Sequence, residues 1–549
     1  MARRTPADLI SHPLLWTGLW LVLLALTLFS RPLMPIDETR YLSVAWDMWQ
    51  RGDFLVPHIN GEPYSHKPPL LFWLMHTGWA AFGVNEWWPR LVAPLFGLGC
   101  LFLTRTMALR LWPDRPEIAL LAPMIVLGSL FWTLFATLTF FDPLLAFFAL
   151  MGIGGLITAW QKAGWRGFIV TGIAIGLGVL AKGPAILVHV LPAALLAPLW
   201  APRLIGPAGS VMAGPSWPRW YGGVLVSVVI GAAIGLAWAI PAAVAGGPEY
   251  RDAIFWGQSA GRMVESFAHG RPWWWFAAIL PVLLLPWPAW PGTWRAVAGG
   301  RSALSEGGIR LCLAWFVPAL LVFSAISGKQ PHYLLPEFPA LALILGRLLV
   351  EAGPAPAPSR RALLLPALIF GIIGIALIAA PVAFAGRIVA VHLLQPAWAV
   401  LLFLAIAGAF RLVRGGRLSA SVFALTLMSA AAVGAIHLAA RPLLAEAFDQ
   451  APLARQLGDW QRAGSPLAHF GKYHAQFNFL GRLTAPVDIL NDLAEAAAWT
   501  ARNPTGRIIS YESRRSPSGP VLVLPFRGKW VEVWEATVVA RDPSVLHRD

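Results

Sequence analysis

Long apolar runs separated by short polar connections fill most of the chain and then give way to a polar tail. The first run covers about residues 14–29, and we interpret it as a retained helix rather than a cleaved leader. Because about 20 apolar residues of helix cross the hydrocarbon layer, the pattern predicts an all-α polytopic bundle of about thirteen transmembrane helices. The later runs lie near residues 89–110, 117–135, 140–160, 167–181, 184–201, 219–241, 272–293, 309–327, 334–351, 362–385, 393–411 and 419–440.

Lysine and arginine concentrate at the N terminus and in every second connection. Connections rich in these residues stay on the cytoplasmic side of a membrane. The N terminus is therefore predicted to be cytoplasmic, and the odd-numbered connections and the tail to lie outside. The charged positions are Arg3, Arg4, Arg110, Arg115, Lys162, Arg166, Arg203, Arg219, Arg295, Arg301, Arg310, Arg360, Arg361, Arg411, Arg414 and Arg417.

The polar tail has a different pattern. Strand-like segments occur at 506–511, 521–526 and 529–538, and a helical pattern occurs near 489–500. We therefore predict two domains, a transmembrane domain at 1–440 and a small α/β domain at 441–549.

The first outside connection, residues 31–88, is too long for a simple turn. Acidic residues at 37 and 38 open a segment in which apolar residues recur at helical spacing, namely Tyr41, Val44, Ala45, Met48 and Trp49. A second apolar helix, 70–82, follows a Lys-Pro-Pro sequence and is too short to cross a membrane. Both helices are predicted to lie along the outer interface.

Composition excludes several classes of protein. The chain has 549 residues, of which 57% are hydrophobic and 13% charged, so a typical soluble enzyme is excluded. The net charge of +15 is dispersed between apolar runs rather than forming the basic stripe of a nucleic-acid-binding protein. The two cysteines, Cys100 and Cys312, both fall in apolar runs, so the chain has no disulfide framework.

Unusual polar residues converge on the outer face of this predicted topology. Asp142 precedes Pro143 at the start of one span, and Lys182 lies between two others. The charged segment 250–271 and the segment 328–333 lie on the same side as Asp37 and Lys67. Carboxylates and cations are therefore predicted to meet beside lipid.

These residues form an ordered series of motifs. They are Asp37-Glu38-Thr39-Arg40-Tyr41, Gly52-Asp53, Val56-Pro57-His58, Gly61, Tyr64, Lys67-Pro68, Phe72-Trp73, Asp142-Pro143, Lys182-Gly183 and Gly328-Lys329-x-Pro331-x-Tyr333. Over about the first 350 residues the series resembles the aminoarabinose–lipid A transferase family. Members of this family are polyprenyl-phosphate-dependent glycosyltransferases with the GT-C fold, related to protein O-mannosyltransferases.

The resemblance implies a bacterial inner-membrane bundle with a periplasmic C-terminal domain and a cavity open to the outer leaflet. It also implies transfer of a sugar from undecaprenyl phosphate to an envelope acceptor, which is lipid A in the named family. The alternatives are transfer to a protein or another glycan, or a transporter or flippase for a lipid-linked sugar. The absence of an internal repeat and the clustering of charge at one face argue against transport. A membrane-anchored binding protein would not need so many spans.

Roles follow for individual residues. Asp37 and Asp142 are the predicted catalytic residues, although either could simply cap a helix. The predicted donor-phosphate cations are Lys67, Arg40, Arg262, Lys329 and Lys182, with Arg271 as a competitor of Arg262. Arg40 could instead only pair with Asp37, and Lys182 could only sit at a helix C terminus. The predicted cavity residues are Glu38, Tyr64, Tyr333 and His332, although the two tyrosines could instead be aromatic residues of the membrane interface.

The motifs depart from the family at two places. His66 stands where a glutamate is typical, and Gln258-Ser259 stands where a Glu-His pair is typical. His58, His66 and His269 are the remaining weak candidates for a metal site, but their spacing matches no recognised motif. We therefore predict that no metal or other cofactor is required, and leave a divalent metal as the alternative.

Overall fold

The computed structural model describes residues 12–206, 210, 212–257, 270–353, 360–386, 390–516 and 519–546. In this part of the chain, nine helices are long and apolar enough to cross a membrane. The number rises to eleven if each of two bent helix pairs is counted as one span. The chain is therefore a multi-pass membrane protein of predominantly helical structure, as predicted.

The bundle contains nineteen of the described helices, and a two-stranded hairpin lies in the first long connection. In chain order they are α1 (Pro13–Ser30), α2 (Asp37–Arg51), β1 (His58–Ile59), β2 (Glu62–Pro63), α3 (Leu70–Phe82), α4 (Trp87–Leu111), α5 (Pro116–Gly128), α6 (Leu130–Ala136), α7 (Asp142–Lys162), α8 (Trp165–Lys182), α9 (Ala185–Leu195), α10 (Ala197–Trp200), α11 (Trp217–Ala245), α12 (Gly247–Asp252), α13 (Trp275–Leu283), α14 (Pro291–Gly299), α15 (Gly307–Ala325), α16 (Phe338–Glu351), α17 (Leu364–Ala383), α18 (Val400–Leu412) and α19 (Leu418–Phe448).

The predicted count of about thirteen spans is not confirmed. The run at 272–293 is broken between α13 and α14, where Pro286 and Pro288 cannot donate the amide hydrogen bonds of a continuous helix. The run at 393–411 forms an apolar helix of fewer than 18 residues, Pro396–Leu412. Two further runs are bent, by 73° between α5 and α6 and by 49° between α9 and the segment that follows it.

The two helices predicted in the first outside connection are present as α2 and α3. The apolar residues of α2 are inside the protein, with Val44, Ala45 and Met48 fully buried. Gly52 ends α2 with a φ of 65°, which glycine adopts without the steric cost that a β-carbon brings. This helix carries Asp37 at its first residue.

Glycines bring α8 and α11 into close contact. Each helix has two glycines four residues apart, at 172 and 176 in α8 and at 231 and 235 in α11. A β-carbon on Gly176 would lie 2.6 Å from Cβ of Ile234, and one on Gly231 would lie 2.4 Å from Cγ2 of Ile175. Such small-residue stripes allow helices to pack closely in lipid, where burial of apolar surface gives little driving force.

The C-terminal residues form a small α/β unit, as predicted. Its elements are α20 (Ala451–Arg462), β3 (Leu467–Phe470), α21 (Asn478–Gly481), β4 (Asp488–Leu490), α22 (Leu493–Arg502), β5 (Arg507–Glu512), β6 (Leu522–Phe526), β7 (Lys529–Glu535) and α23 (Ala536–Arg541). The sheet has the strand order β4-β3-β5-β7-β6, with β3 parallel to β4 and β5, and with β7 antiparallel to β5 and β6.

The C-terminal unit docks on α2. The hydroxyl of Ser43 donates to the carbonyl of Ala475 at 2.7 Å and accepts the amide of Phe479 at 3.1 Å. The indole of Trp46 donates to the carbonyl of Leu483 at 2.9 Å. The helix that starts at Asp37 is thus fixed between the bundle and the C-terminal unit.

Candidate functional site

A cavity of about 1100 Å³ lies where α2, α7, α8, α11 and the segment before α16 meet. One wall is apolar and is built from side chains of α8 and α11, including Ile175, Val179 and Leu236. Leu236 is 43% exposed although it lines the cavity, so this apolar wall is open rather than sealed by neighbouring side chains. The charged and polar lining residues are Asp37, Arg40, Tyr41, Tyr64, Ser65, His66, Lys67, Asp142, Lys182, His189, Gln330, His332, Tyr333 and Lys472.

Asp37 lies at the cavity wall, where its carboxylate accepts hydrogen bonds from two side chains of its own helix. Its Oδ1 accepts from Nη2 of Arg40 at 2.5 Å and from the hydroxyl of Tyr41 at 3.3 Å. The side chain of Asp37 is 46% exposed, whereas the ring of Tyr41 is buried. The predicted pairing of Arg40 with Asp37 is therefore present, and the carboxylate keeps access to the cavity.

Glu38 is placed differently from the prediction, which put it in the cavity. Neighbouring residues on a helix point about 100° apart, so Glu38 faces the protein interior while Asp37 faces the cavity. The carboxylate of Glu38 accepts hydrogen bonds from Arg31 and from the amides of Met34 and Thr139, the last two at 2.8 Å. Because Thr139 lies three residues before Asp142, Glu38 fixes the start of α2 relative to the start of α7.

The charge on Glu38 is stabilised by its partner. Burial alone would raise the pKa of this carboxyl, but the Arg31 guanidinium lowers it to about 2. Both side chains are almost fully buried.

We expect Glu38→Gln to lower the free energy of unfolding by about 3–5 kcal/mol, because Arg31 would be left as a buried charge without its carboxylate. The measurement is the unfolding midpoint of detergent-solubilised protein, with Glu62→Gln, an exposed position in the same connection, as the matched control. A folded pKa below the ordinary 4.5 stabilises the protein above that pH, and the stabilisation is lost as pH falls towards 2. The difference between wild type and Glu38→Gln should therefore shrink below about pH 4.5; a pH-independent difference would contradict this assignment.

Asp142 and Lys182 form a buried pair at the cavity wall. The Lys182 ammonium lies 2.5 Å from Oδ1 of Asp142 and 4.9 Å from the centre of the Tyr333 ring. Asp142 is 3% exposed, and it begins α7 without capping a backbone amide. Lys182 therefore joins α8 to α7 and does not act only at its own helix terminus.

Lys67 and the aromatic residues line the same region. The Lys67 ammonium lies 5.6 Å from the centre of the Phe141 ring, next to Asp142. Tyr64 stacks on His66 with ring centres 5.3 Å apart, and His332 stacks on Phe140 at 5.7 Å. The structure thus brings the predicted residues of the Lys-Pro and Pro-x-Tyr motifs to one cavity.

Lys329 was predicted to bind phosphate, but its ammonium donates to two backbone carbonyls instead. The acceptors are the carbonyl of Arg271, at 2.9 Å, and that of Ile326. Lys329 is 3% exposed and is not part of the cavity lining, whereas its neighbours Gly328 and Gln330 are. Lys329 therefore joins the connection that follows α15 to the one that contains Arg271. Arg262 lies outside the described residues.

The sequence analysis did not predict His189, Glu337 or Lys472 as residues of the site. Nδ1 of His189 lies 2.5 Å from Oε1 of Glu337, and both side chains are fully buried beside the cavity. Ionisable residues inside apolar runs are unusual, and that pattern could have identified this pair. Lys472 belongs to the polar tail, and its position at the cavity depends entirely on how the C-terminal unit docks.

No group of three or more potential metal ligands occurs in the part of the chain that the structure describes. Nδ1 of His58 bonds to the carbonyl of Val56 at 2.8 Å, away from the cavity lining. His66 does line the cavity, and His269 lies outside the described residues. The prediction that no metal is required remains a prediction.

Comparison with known proteins shows similarity in sequence over the bundle. The family described as dolichyl-phosphate-mannose-protein mannosyltransferase matches residues 15–245. An undecaprenyl phosphate-alpha-4-amino-4-deoxy-L-arabinose arabinosyl transferase of Edwardsiella ictaluri is 31% identical over 59% of this chain and 58% of the relative. The protein of the same description from Pectobacterium carotovorum is 30% identical over 69% of this chain and 66% of the relative. The chain thus matches somewhat less than two thirds of the length of these relatives.

The fold is similar over nearly the whole chain. The crystal structure of ArnT from Cupriavidus metallidurans bound to undecaprenyl phosphate matches with a TM-score of 0.74. The match covers 96% of this chain and 98% of that protein, at 20% sequence identity. The likeness therefore extends through the C-terminal unit.

Proposed function

From its resemblance to polyprenyl-phosphate-dependent GT-C glycosyltransferases, we propose that this chain is an integral-membrane glycosyltransferase. It moves a sugar from an undecaprenyl-phosphate donor, the carrier named in the description of the relatives, to an envelope acceptor. The resemblance to the aminoarabinose–lipid A transferase family favours lipid A as that acceptor. The observation that carries this proposal is the cavity, in which carboxylates and cations stand at one end of an apolar wall. Such a cavity suits a substrate with an acidic head and a hydrocarbon chain.

The donor is proposed to lie with its hydrocarbon chain along α8 and α11 and its phosphate near Lys67 and Lys182. In the reaction the bond between the anomeric carbon and the donor phosphate oxygen breaks, and a bond to an acceptor oxygen forms. The departing phosphate gains negative charge, which fixed cations in a site shielded from water stabilise strongly. Asp142 holds Lys182 in place through the 2.5 Å contact, so we assign Asp142 a positioning role for that cation.

Asp37 is proposed to act on the acceptor. With a hydroxyl acceptor, its carboxylate takes the proton that the reaction releases. With a phosphate acceptor, which is already anionic at neutral pH, Asp37 instead orients Arg40 towards the acceptor. The first role requires the observed exposure of the carboxylate, and the second requires its contact with Arg40.

We place the protein in the bacterial inner membrane with its N terminus in the cytoplasm. The cavity and the C-terminal unit then face the periplasm. The distribution of lysine and arginine among the connections supports this orientation. The docking of the C-terminal unit on α2 supports a common side for that unit and the cavity. We further propose that the reaction needs no metal ion.

Mass spectrometry of envelope lipids and glycans tests the proposal. Cells lacking the gene are compared with the same cells complemented by wild type or by Lys529→Gln, an exposed position outside the cavity lining. We expect one sugar increment to disappear on deletion and to return with both proteins, and its mass would identify sugar and acceptor. If no covalent change occurs and a lipid-linked sugar accumulates on one side of the membrane, a transporter becomes the better account.

A further inference from the structure

Lys472 links the C-terminal unit to the cavity. Among the described residues, it is the one side chain that this unit contributes to the cavity lining. It lies just after β3, in the segment 471–477 that leads to α21. The side chain is exposed at the mouth of the cavity rather than packed in the core of the unit.

The segment that carries Lys472 is held in place from both sides. The carbonyl of Ala475 accepts from Ser43 of α2 at 2.7 Å. The side chain of Gln476 donates to the hydroxyl of Tyr511 at 2.6 Å, which ties the segment to β5. Lys472 is therefore set at a defined distance from the helix that begins with Asp37.

The charged lining residues form two groups. Lys182, His332 and Lys67 act electrostatically on Asp142. His474, next but one to Lys472, interacts electrostatically with Lys472, Arg40 and Asp37. Lys472 thus belongs to the group of Asp37 and Arg40, and His332 lies between this group and the Asp142–Lys182 pair, since it interacts electrostatically with Asp37 as well as with Asp142 and Lys182.

The lining carries more positive than negative charge. The described lining residues include four cations, at positions 40, 67, 182 and 472, and two carboxylates, at positions 37 and 142. This leaves an excess of two positive charges. A single donor phosphodiester, with one negative charge, does not balance this excess, so the cavity favours a second acidic group besides the donor phosphate.

We propose that Lys472 binds the anionic group of the acceptor lipid, so that the C-terminal unit selects phosphorylated acceptors. This inference rests on the proposed transferase function and adds to it a specificity-determining residue. The donor phosphate stays with Lys67 and Lys182, and the acceptor phosphate approaches from the side of Arg40 and Asp37. The sugar is then transferred between two cationic subsites that keep the two acidic substrates apart.

The test is equilibrium binding to the purified full chain in nanodiscs. The probes are diphosphoryl lipid A for the acceptor subsite and undecaprenyl phosphate for the donor subsite. We expect Lys472→Gln to weaken binding of diphosphoryl lipid A about 10-fold, as loss of a charge-assisted contact does, and to leave undecaprenyl phosphate within about twofold of wild type. Lys472→Arg should retain most of the affinity, and the matched control Lys529→Gln should bind both probes as wild type does.

Three outcomes would overturn this inference. They are unchanged lipid A binding by Lys472→Gln, equal weakening of both probes, and no binding of diphosphoryl lipid A by wild type. A different result would contradict the proposed transferase function itself. In that case, deletion of the gene would remove no sugar increment from the envelope. The two conclusions can therefore fail separately.

Discussion

Replacing Lys67 with methionine is expected to slow sugar transfer by about 10²–10³-fold. The Lys67 ammonium lies beside the Phe141 ring and attracts the Asp142 carboxylate electrostatically. It is at the end of the apolar wall, where we propose that the donor phosphate binds. Methionine fills a similar volume but cannot offset the charge that develops on the departing phosphate. The measurement is the initial rate of transfer in nanodiscs, with binding of undecaprenyl phosphate measured in parallel.

Two variants separate loss of charge from loss of folding. Lys67→Arg keeps the cation and should retain more activity than Lys67→Met, although its planar head will not match the ammonium position. Lys162→Met removes a lysine from an exposed site at the end of α7 and should leave the rate unchanged. If Lys67→Met transfers sugar at the wild-type rate, the assignment of Lys67 to the donor phosphate is wrong.

Replacing Asp37 with asparagine is expected to lower the transfer rate by about 10²–10⁴-fold where the acceptor is a hydroxyl that needs a general base, and by a smaller factor where the acceptor is a phosphate and Asp37 only orients Arg40. Asparagine keeps an oxygen that can accept from Arg40 and Tyr41, so the main change is the loss of negative charge at the cavity wall. The loss should appear in kcat at saturating donor. It should also prevent the variant from restoring the sugar increment in cells that lack the gene.

Asp47→Asn is the matched control for Asp37→Asn. Asp47 is on the same helix and pairs with Arg51 at 2.5 Å, but it lies outside the cavity lining. It should leave the transfer rate near that of wild type. Full restoration of the sugar increment by Asp37→Asn would show that Asp37 only shapes the start of α2.

The two acidic residues at the start of α2 have different roles because their side chains point in different directions. Asp37 and Glu38 are adjacent in sequence, yet one lines the cavity and the other binds Arg31 in the interior. Glu38 accepts the amide of Thr139 and so sets the spacing between the starts of α2 and α7. The two aspartates at these starts are thereby both held at the wall of one cavity.

Hydrophobic periodicity was sufficient to identify the long apolar helices, the two short helices of the first connection and the small α/β unit. It failed where proline interrupts an apolar run, as in 272–293, because hydropathy measures transfer to lipid and does not register a missing amide donor. It also could not distinguish the bent pair α5 and α6 from one straight span. In both cases the apolar run was predicted correctly, but whether it forms one continuous helix was not.

The amino-acid sequence was enough to predict the membrane class, the types of side chain in the site and the order of the motifs on which the family resemblance rests. It could not predict which of those residues meet in the folded protein, because each contact depends on how helices rotate and dock over long separations in the chain. The tertiary structure turned Glu38 inward, directed Lys329 to backbone carbonyls, and paired His189 with Glu337. It also brought Lys472 to the cavity by docking the C-terminal unit on α2, a contact that no local pattern encodes.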